Sequence, residues 1–215
     1  FVLLILSLLK WRVNKKIFWL ALAQFFLIGF EAWLGKLTVD TNLDVNMITY
    51  HMLGVIVMII VQITLLRQIN SELGVLNTKK FSQLFKIMIV VGILLMTVQI
   101  VLGTQVRQQT DVMMDAGIAR ELIPQGFDYI FYIHRSFSFL LVFAIGYLFL
   151  KLKGNSNFVK PLNFLILFTV LEIIAGIILF YIGMPAFAQP IHIVLSILIY
   201  GFFVEIFLKL IISKD

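Results

Sequence analysis

The chain has 215 residues, of which 61% are hydrophobic and 13% charged, and a mean hydropathy of +1.06. A soluble domain of this length has too little interior to hide that much apolar surface, so the composition is that of an integral membrane protein. The net charge of +6 sits in short stretches between apolar runs, which is a topology signal and not a nucleic-acid surface, and the lack of cysteine excludes a disulfide framework or a thiolate metal site within these residues.

A membrane-spanning helix needs about 20 mainly apolar residues. The chain opens Phe1-Val2-Leu3-Leu4, without Met and already inside an apolar run, and this predicts a helix stub at 1–9 whose beginning lies upstream. Six spanning helices follow, at about 17–37, 46–69, 82–106, 127–152, 160–183 and 187–212. These runs are too long for barrel strands and lack their period-2 alternation, so the expected fold class is an all-α polytopic membrane protein. The polar stretch 107–126 reads as a long outer loop, either a functional lid or a disordered connection. Lys10, Arg12, Lys15, Lys16, Arg67, Lys79, Lys80, Lys86, Lys151, Lys153, Lys160, Lys209 and Lys214 fall on one side of the membrane, against Lys36, Arg107, Arg120 and Arg135 on the other. The richer side is expected to face the cytoplasm or an equivalent compartment. All three histidines, His51, His134 and His192, then lie near the outer ends of their helices.

One spacing occurs twice. Glu31-x3-Gly35-x15-His51 recurs as Glu172-x3-Gly176-x15-His192, at an offset of 141 residues. At that offset Phe1 to Lys10 falls on Val142 to Lys151, and two further helices superimpose without a gap. The chain therefore reads as a parallel repeat of four-helix bundles: residues 1–75 are the latter part of a first unit and 76–215 a complete second one. The same offset places a counterpart of His134 about eight residues before Phe1.

A histidine in a membrane helix is costly without a partner. His134 and His192 are expected at similar depth on two helices of the complete unit. There they form either a bis-histidine haem b site or a hydrogen-bonded packing pair. His51 corresponds to His192 in the first unit. Glu31, Gln99 and Glu172 each precede a glycine (Gly35, Gly103, Gly176) by one helical turn and so share its face. The glycines permit close approach of a helix or a flat macrocycle, and the polar groups can bond a backbone carbonyl or the outer Nδ1–H of a ligand histidine. The alternative is interhelical glue. Arg107 and Arg135, at outer helix ends, suit propionate carboxylates or lipid headgroups.

The segments Gln99-x3-Gly103-x3-Arg107, His134-Arg135-Ser136-Phe137, Glu172-x3-Gly176 with Gly183-Met184-Pro185-Ala186 and His192, and Gly35-Lys36-Leu37-Thr38-Val39 with His51, resemble the haem A synthase family along nearly the whole chain. The resemblance implies an eight-helix protein of two four-helix halves, of which this chain carries helices three to eight and a remnant of helix two. It implies oxidation of the C8 methyl of haem O to the formyl of haem A for terminal cytochrome oxidases. Haem b would be held by His134 and His192, with Gln99, Gly103, Gly176, Arg107 and Arg135 around it. Substrate haem O would lie on the side of His51, the catalytic candidate. Its partner histidine and a catalytic glutamate would belong to helix two. Many members carry an outer cysteine pair that is absent here, and Glu31 stands where many carry Gln. Haem O synthase, oxidase assembly factors, membrane lipid and a second copy of the chain are the implied partners, with no nucleic acid. The lack of a long extramembrane domain favours a bacterial plasma membrane over a mitochondrial inner membrane. Two other readings fit the residues, a bis-histidine electron-carrier cytochrome b and a haem-free transporter or assembly scaffold.

Overall fold

The computed structural model of the chain describes residues 1–9, 11–12, 14–71 and 81–212. Lys10, Lys79, Lys80 and Lys214 of the charge asymmetry, and the expected boundary at residue 75, lie outside these. Among the described residues all regular structure is helical: α1 (Val2–Leu9), α2 (Lys15–Asp40), α3 (Val45–Ser71), α4 (Gln83–Asp115), a 3-10 segment (Arg120–Gly126), α5 (Tyr129–Leu152), α6 (Ser156–Tyr181) and α7 (Ala188–Ile212). Six of them, α2 to α7, are long and apolar enough to cross a membrane. Large apolar side chains such as Phe26, Leu94, Phe143 and Leu150 are exposed on their outer faces, as lipid contact requires. The chain is an integral, multi-pass, all-α membrane protein.

Short polar side chains start these helices. Asn14, Ser82, Asp128 and Asn155 each accept a backbone N–H of the first turn, from Lys16, Phe85, Ile130 and Asn157. Asp44 does the same ahead of α3, accepting from Asn46 at 2.9 Å and Met47 at 3.3 Å. At the other end, α2, α4 and α6 close in the same way. Leu43 N–H donates to the Thr38 carbonyl, Ile118 to Met113 and Met184 to Leu179, at 2.9, 3.0 and 2.9 Å. The residue before each donor (Asn42, Gly117, Gly183) has positive φ, the Schellman arrangement that satisfies the last carbonyls of a helix. Asn42 and Leu43 stand 141 residues before Gly183 and Met184, so the repeat extends to the backbone of its outer turns.

The segment 107–126 differs from the expected loop. α4 continues to Asp115, and Arg107 lies inside the helix, not at its end. The apolar run stops near Arg107 but the helical face does not: Thr110 is fully buried and its hydroxyl donates to the Val106 carbonyl, while Arg107 pairs with Asp111 one turn on. Thirty-three residues make a helix about 50 Å long, more than the roughly 30 Å of hydrocarbon that a spanning helix has to cross. The rest of the segment is largely the 3-10 turn, which folds back over α6 and α7. Arg120 Nη1 donates to the Met184 carbonyl at 3.0 Å. Gly183 passes so close to Glu121 that a Cβ there would come within 2.9 Å of its Cα.

The chain divides into two compact units, Phe1–Lys80 with Phe207–Asp215, and Phe81–Ile206. In the first, α2 packs on α3, with Ile17, Ala21 and Leu65 buried together at the inner end. In the second, α4 pairs with α5, and the outer end is sealed by Ile123, Phe127 and Met184 with Val106, Met113, Phe131, Leu179 and Phe180 around them. Phe131 stacks on both Phe127 and Phe180, at 4.8 and 4.9 Å between ring centres.

Candidate functional site

The three glycines that follow a polar residue by one turn do the same thing in three places. A Cβ on Gly35 would lie 3.6 Å from His51 Cε1, one on Gly103 3.4 Å from His134 Cε1, and one on Gly176 3.6 Å from His192 Cε1. Each imidazole thus rests against a helix backbone bared by glycine, and α2 packs closely on α3 and α4 on α5. Helical spacing brings the polar partner to the same layer, one turn inward.

Those partners then diverge by chemistry. Gln99 donates through Nε2 to the backbone carbonyl of His134, 3.1 Å away, which fixes α5 against α4 but leaves the His134 ring untouched. The two glutamates reach the rings themselves. Glu31 Oε2 lies 2.9 Å from His51 Nδ1, and Glu172 Oε2 lies 3.2 Å from His192 Nδ1. Both contacts are within ion-pair range but off the hydrogen-bond line, and none of these buried atoms has an aligned hydrogen-bond partner. His134 Nδ1 is likewise buried and unpartnered.

In the second unit His134 and His192 face each other, with ring centres 6.5 Å apart and planes at 74°. A metal–nitrogen bond of about 2 Å on each side, plus about 1.1 Å from each ring centre to its nitrogen, requires a spacing of roughly 6.2 Å for two imidazoles bound to one ion on opposite sides. The observed spacing fits that arrangement. It is too long for a hydrogen-bonded pair of rings in direct contact through their nitrogens, which would bring the centres to roughly 5 Å. No group of three or more His, Asp or Glu side chains gathers as a metal cage among the described residues, so the donor set here is two imidazoles. Two imidazole donors at this spacing, with Gly103 and Gly176 against the ring edges, are the residues that would hold a haem iron if one were bound.

Of the arginines expected nearby, Arg107 is half-buried and its Nε pairs with Asp111 Oδ2 at 3.3 Å, while Arg135 is exposed on α5. Sequence reasoning missed three features. Arg120 fastens the 3-10 turn to the α6–α7 turn. Gln109 and Asp128 bond reciprocally, Gln109 Nε2 to Asp128 Oδ1 and Asp128 N–H to Gln109 Oε1, joining α4 to the start of α5. Gly54, one turn beyond His51, leaves the space that the Glu31 carboxylate fills, since a Cβ there would overlap it. The spacing His51-x2-Gly54 was the available signal.

The fold and this layer define a multi-pass helical membrane protein with duplicated glycine–histidine sites, one of them containing a pair of imidazoles with steeply inclined planes. The chain matches the COX15-CtaA family, described as cytochrome oxidase assembly protein, over residues 1–204, and it belongs to that family. No curated protein and no solved structure matches it.

Proposed function

We propose that the chain is a haem A synthase, oxidising the C8 methyl of haem O to the formyl group of haem A. Membership of a cytochrome oxidase assembly family supports this, and one observation carries it: the 6.5 Å facing pair of His134 and His192 inside a repeated frame whose other copy presents His51. In this reading His134 and His192 hold a haem b in the second unit, and His51 is a ligand on the side of substrate haem O. The bound haem b supplies one-electron transfer. The chain's own residues do the rest. Gln99 pins the His134 backbone, Gly103 and Gly176 keep the ring faces open to a flat ligand, and the Ile123–Phe127–Met184 cluster shuts out water from the outer side. In this proposal methyl to formyl is a four-electron, four-proton oxidation with water supplying the oxygen, in two two-electron stages through the alcohol and the hydrated aldehyde, and the four electrons pass one at a time to an external one-electron acceptor. The host membrane in this proposal is a bacterial plasma membrane, and oxidase assembly factors and haem O synthase are the partners.

The test is to extract and identify the haems of the purified protein after co-expression with a haem O source. Haem b together with haem A, or with its hydroxylated intermediate, supports the synthase. Haem b alone makes the chain an electron carrier, and no haem overturns the ligand roles of His134 and His192.

A further inference from the structure

Resting on that reading of the histidines, we infer that Glu31 and Glu172 are positioning residues. Each holds the Nδ1 side of its histidine by accepting the N–H, so that Nε2 is the nitrogen presented to iron. The geometry is the same in both copies. The carboxylate comes from one turn inward on the outward-running helix, the imidazole from the next helix, and the glycine between them carries no side chain to separate the two. A membrane interior offers no water to solvate a buried carboxylate, so the imidazole opposite is the group that compensates it. Contacts of this kind are often misaligned in the free protein and tighten when the far nitrogen is engaged.

The two copies differ in one respect that is local and readable. Gly54 lies one turn after His51 on α3, and the Glu31 carboxylate occupies the place of its missing Cβ. At the offset of the repeat the corresponding residue on α7 is Leu195, which is buried. The Glu31 side chain is 7% exposed and 2.9 Å from its histidine, against 17% and 3.2 Å for Glu172. Third in the series, His134 has Gln99 on its backbone and no carboxylate on its ring. The imidazole pair of the second unit is therefore unequal among the described residues, one ring having a carboxylate beside its Nδ1 and the other none. An anionic acceptor on Nδ1 makes an imidazole a better donor and favours ferric over ferrous iron, and loss of such a partner typically weakens metal binding 10- to 100-fold.

The experiment uses the purified protein with its haem. Electron paramagnetic resonance, redox titration and transfer of haem to apomyoglobin are compared in wild type, Glu172→Gln and Glu172→Leu. Gln keeps an oxygen that can accept the Nδ1–H but removes the charge. It is expected to retain the haem while cutting the ferric preference about tenfold, which is a rise of about 59 mV in midpoint for a one-electron couple. Leu removes both, and haem transfer should speed up about 10- to 100-fold. For the first unit, Gly54→Ala displaces a Glu31 that is itself intact. It should weaken the His51-dependent part of haemin binding (the difference from His51→Ala) as far as Glu31→Leu does, with the midpoint of the second unit unchanged. A low-spin bis-imidazole haem whose midpoint and retention are the same in wild type and both Glu172 variants overturns the positioning role alone. Absence of such a haem in wild type overturns the ligand reading and this role with it.

Discussion

Leu43 and Met184 occupy equivalent places in the two outer turns, and the same substitution should move stability in different ways. Both lie in the left-handed region, at φ 62° and 52°, where a residue with a side chain is strained by about 1–2 kcal/mol. Replacing either by glycine relieves that strain but adds roughly 0.5–1 kcal/mol of chain entropy to be lost on folding. The backbone balance alone thus favours glycine slightly at both positions. The side chains decide the outcome. Leu43 is 38% exposed, whereas Met184 is 6% exposed and sits in the apolar seal with Ile123 and Phe127. Truncating a buried Met in a packed core costs about 2–5 kcal/mol. Leu43→Gly should therefore stay within about 1 kcal/mol of wild type, and Met184→Gly should lose about 1–4 kcal/mol. The assay is reversible unfolding of detergent-solubilised protein by added dodecyl sulfate, followed by circular dichroism. A Met184→Gly variant as stable as Leu43→Gly would refute the claim that the outer seal of the second unit is a packed core.

Other expectations follow from the same surfaces. Gly183→Ala meets both a positive φ of 77° and the Glu121 backbone, whereas Gly117→Ala at φ 79° meets nothing within 4 Å. In the same titration Gly117→Ala should lose about 1–2 kcal/mol and Gly183→Ala clearly more, and equal losses would mean that the 3-10 turn is not seated on Gly183. Arg120→Met removes a charged hydrogen bond of a kind worth roughly 1.5–3 kcal/mol when shielded, so amide exchange across Arg120–Gly126 should accelerate while that of α5 does not. If the second unit holds the proposed haem, His134→Ala and His192→Ala should each abolish its low-spin absorption, and His51→Ala should leave it in place. Retention of that band in either of the first two would remove the axial assignment.

Helix number and order were legible because spanning runs announce themselves by length and hydropathy. Where the apolar run ends, however, the helix need not. α4 outlasts its apolar signal by two turns because Thr110 stays buried and Arg107 finds Asp111 on its own face, and a hydropathy boundary contains neither fact. The histidine layer was legible through the Glu-x3-Gly-x15-His spacing, since one helical turn fixes which residues share a face. Its internal differences were not. Gln99 and the two glutamates look interchangeable as polar residues one turn before a glycine, yet the amide goes to a backbone carbonyl and the carboxylates go to the rings. That choice depends on how far apart two helices stand, which the periodicity of either helix alone does not contain. The partners of Arg107 and Arg120 were hidden for a different reason, since both residues belong to a stretch that reads as a loop.

The apolar seal of the second unit has a kinetic consequence. Val106 lies one turn beyond Gly103, Leu179 one turn beyond Gly176 and Phe131 one turn before His134, so the sealing layer sits directly outward of the imidazole pair. A path to the outer side through this layer would have to part the Arg120–Gly126 segment and the stacked rings of Phe127, Phe131 and Phe180. For the haem proposed between His134 and His192, residence time would then be governed by how often this cap opens as well as by the bonds to the histidines, and a loosened cap would shorten it even when both histidines are intact.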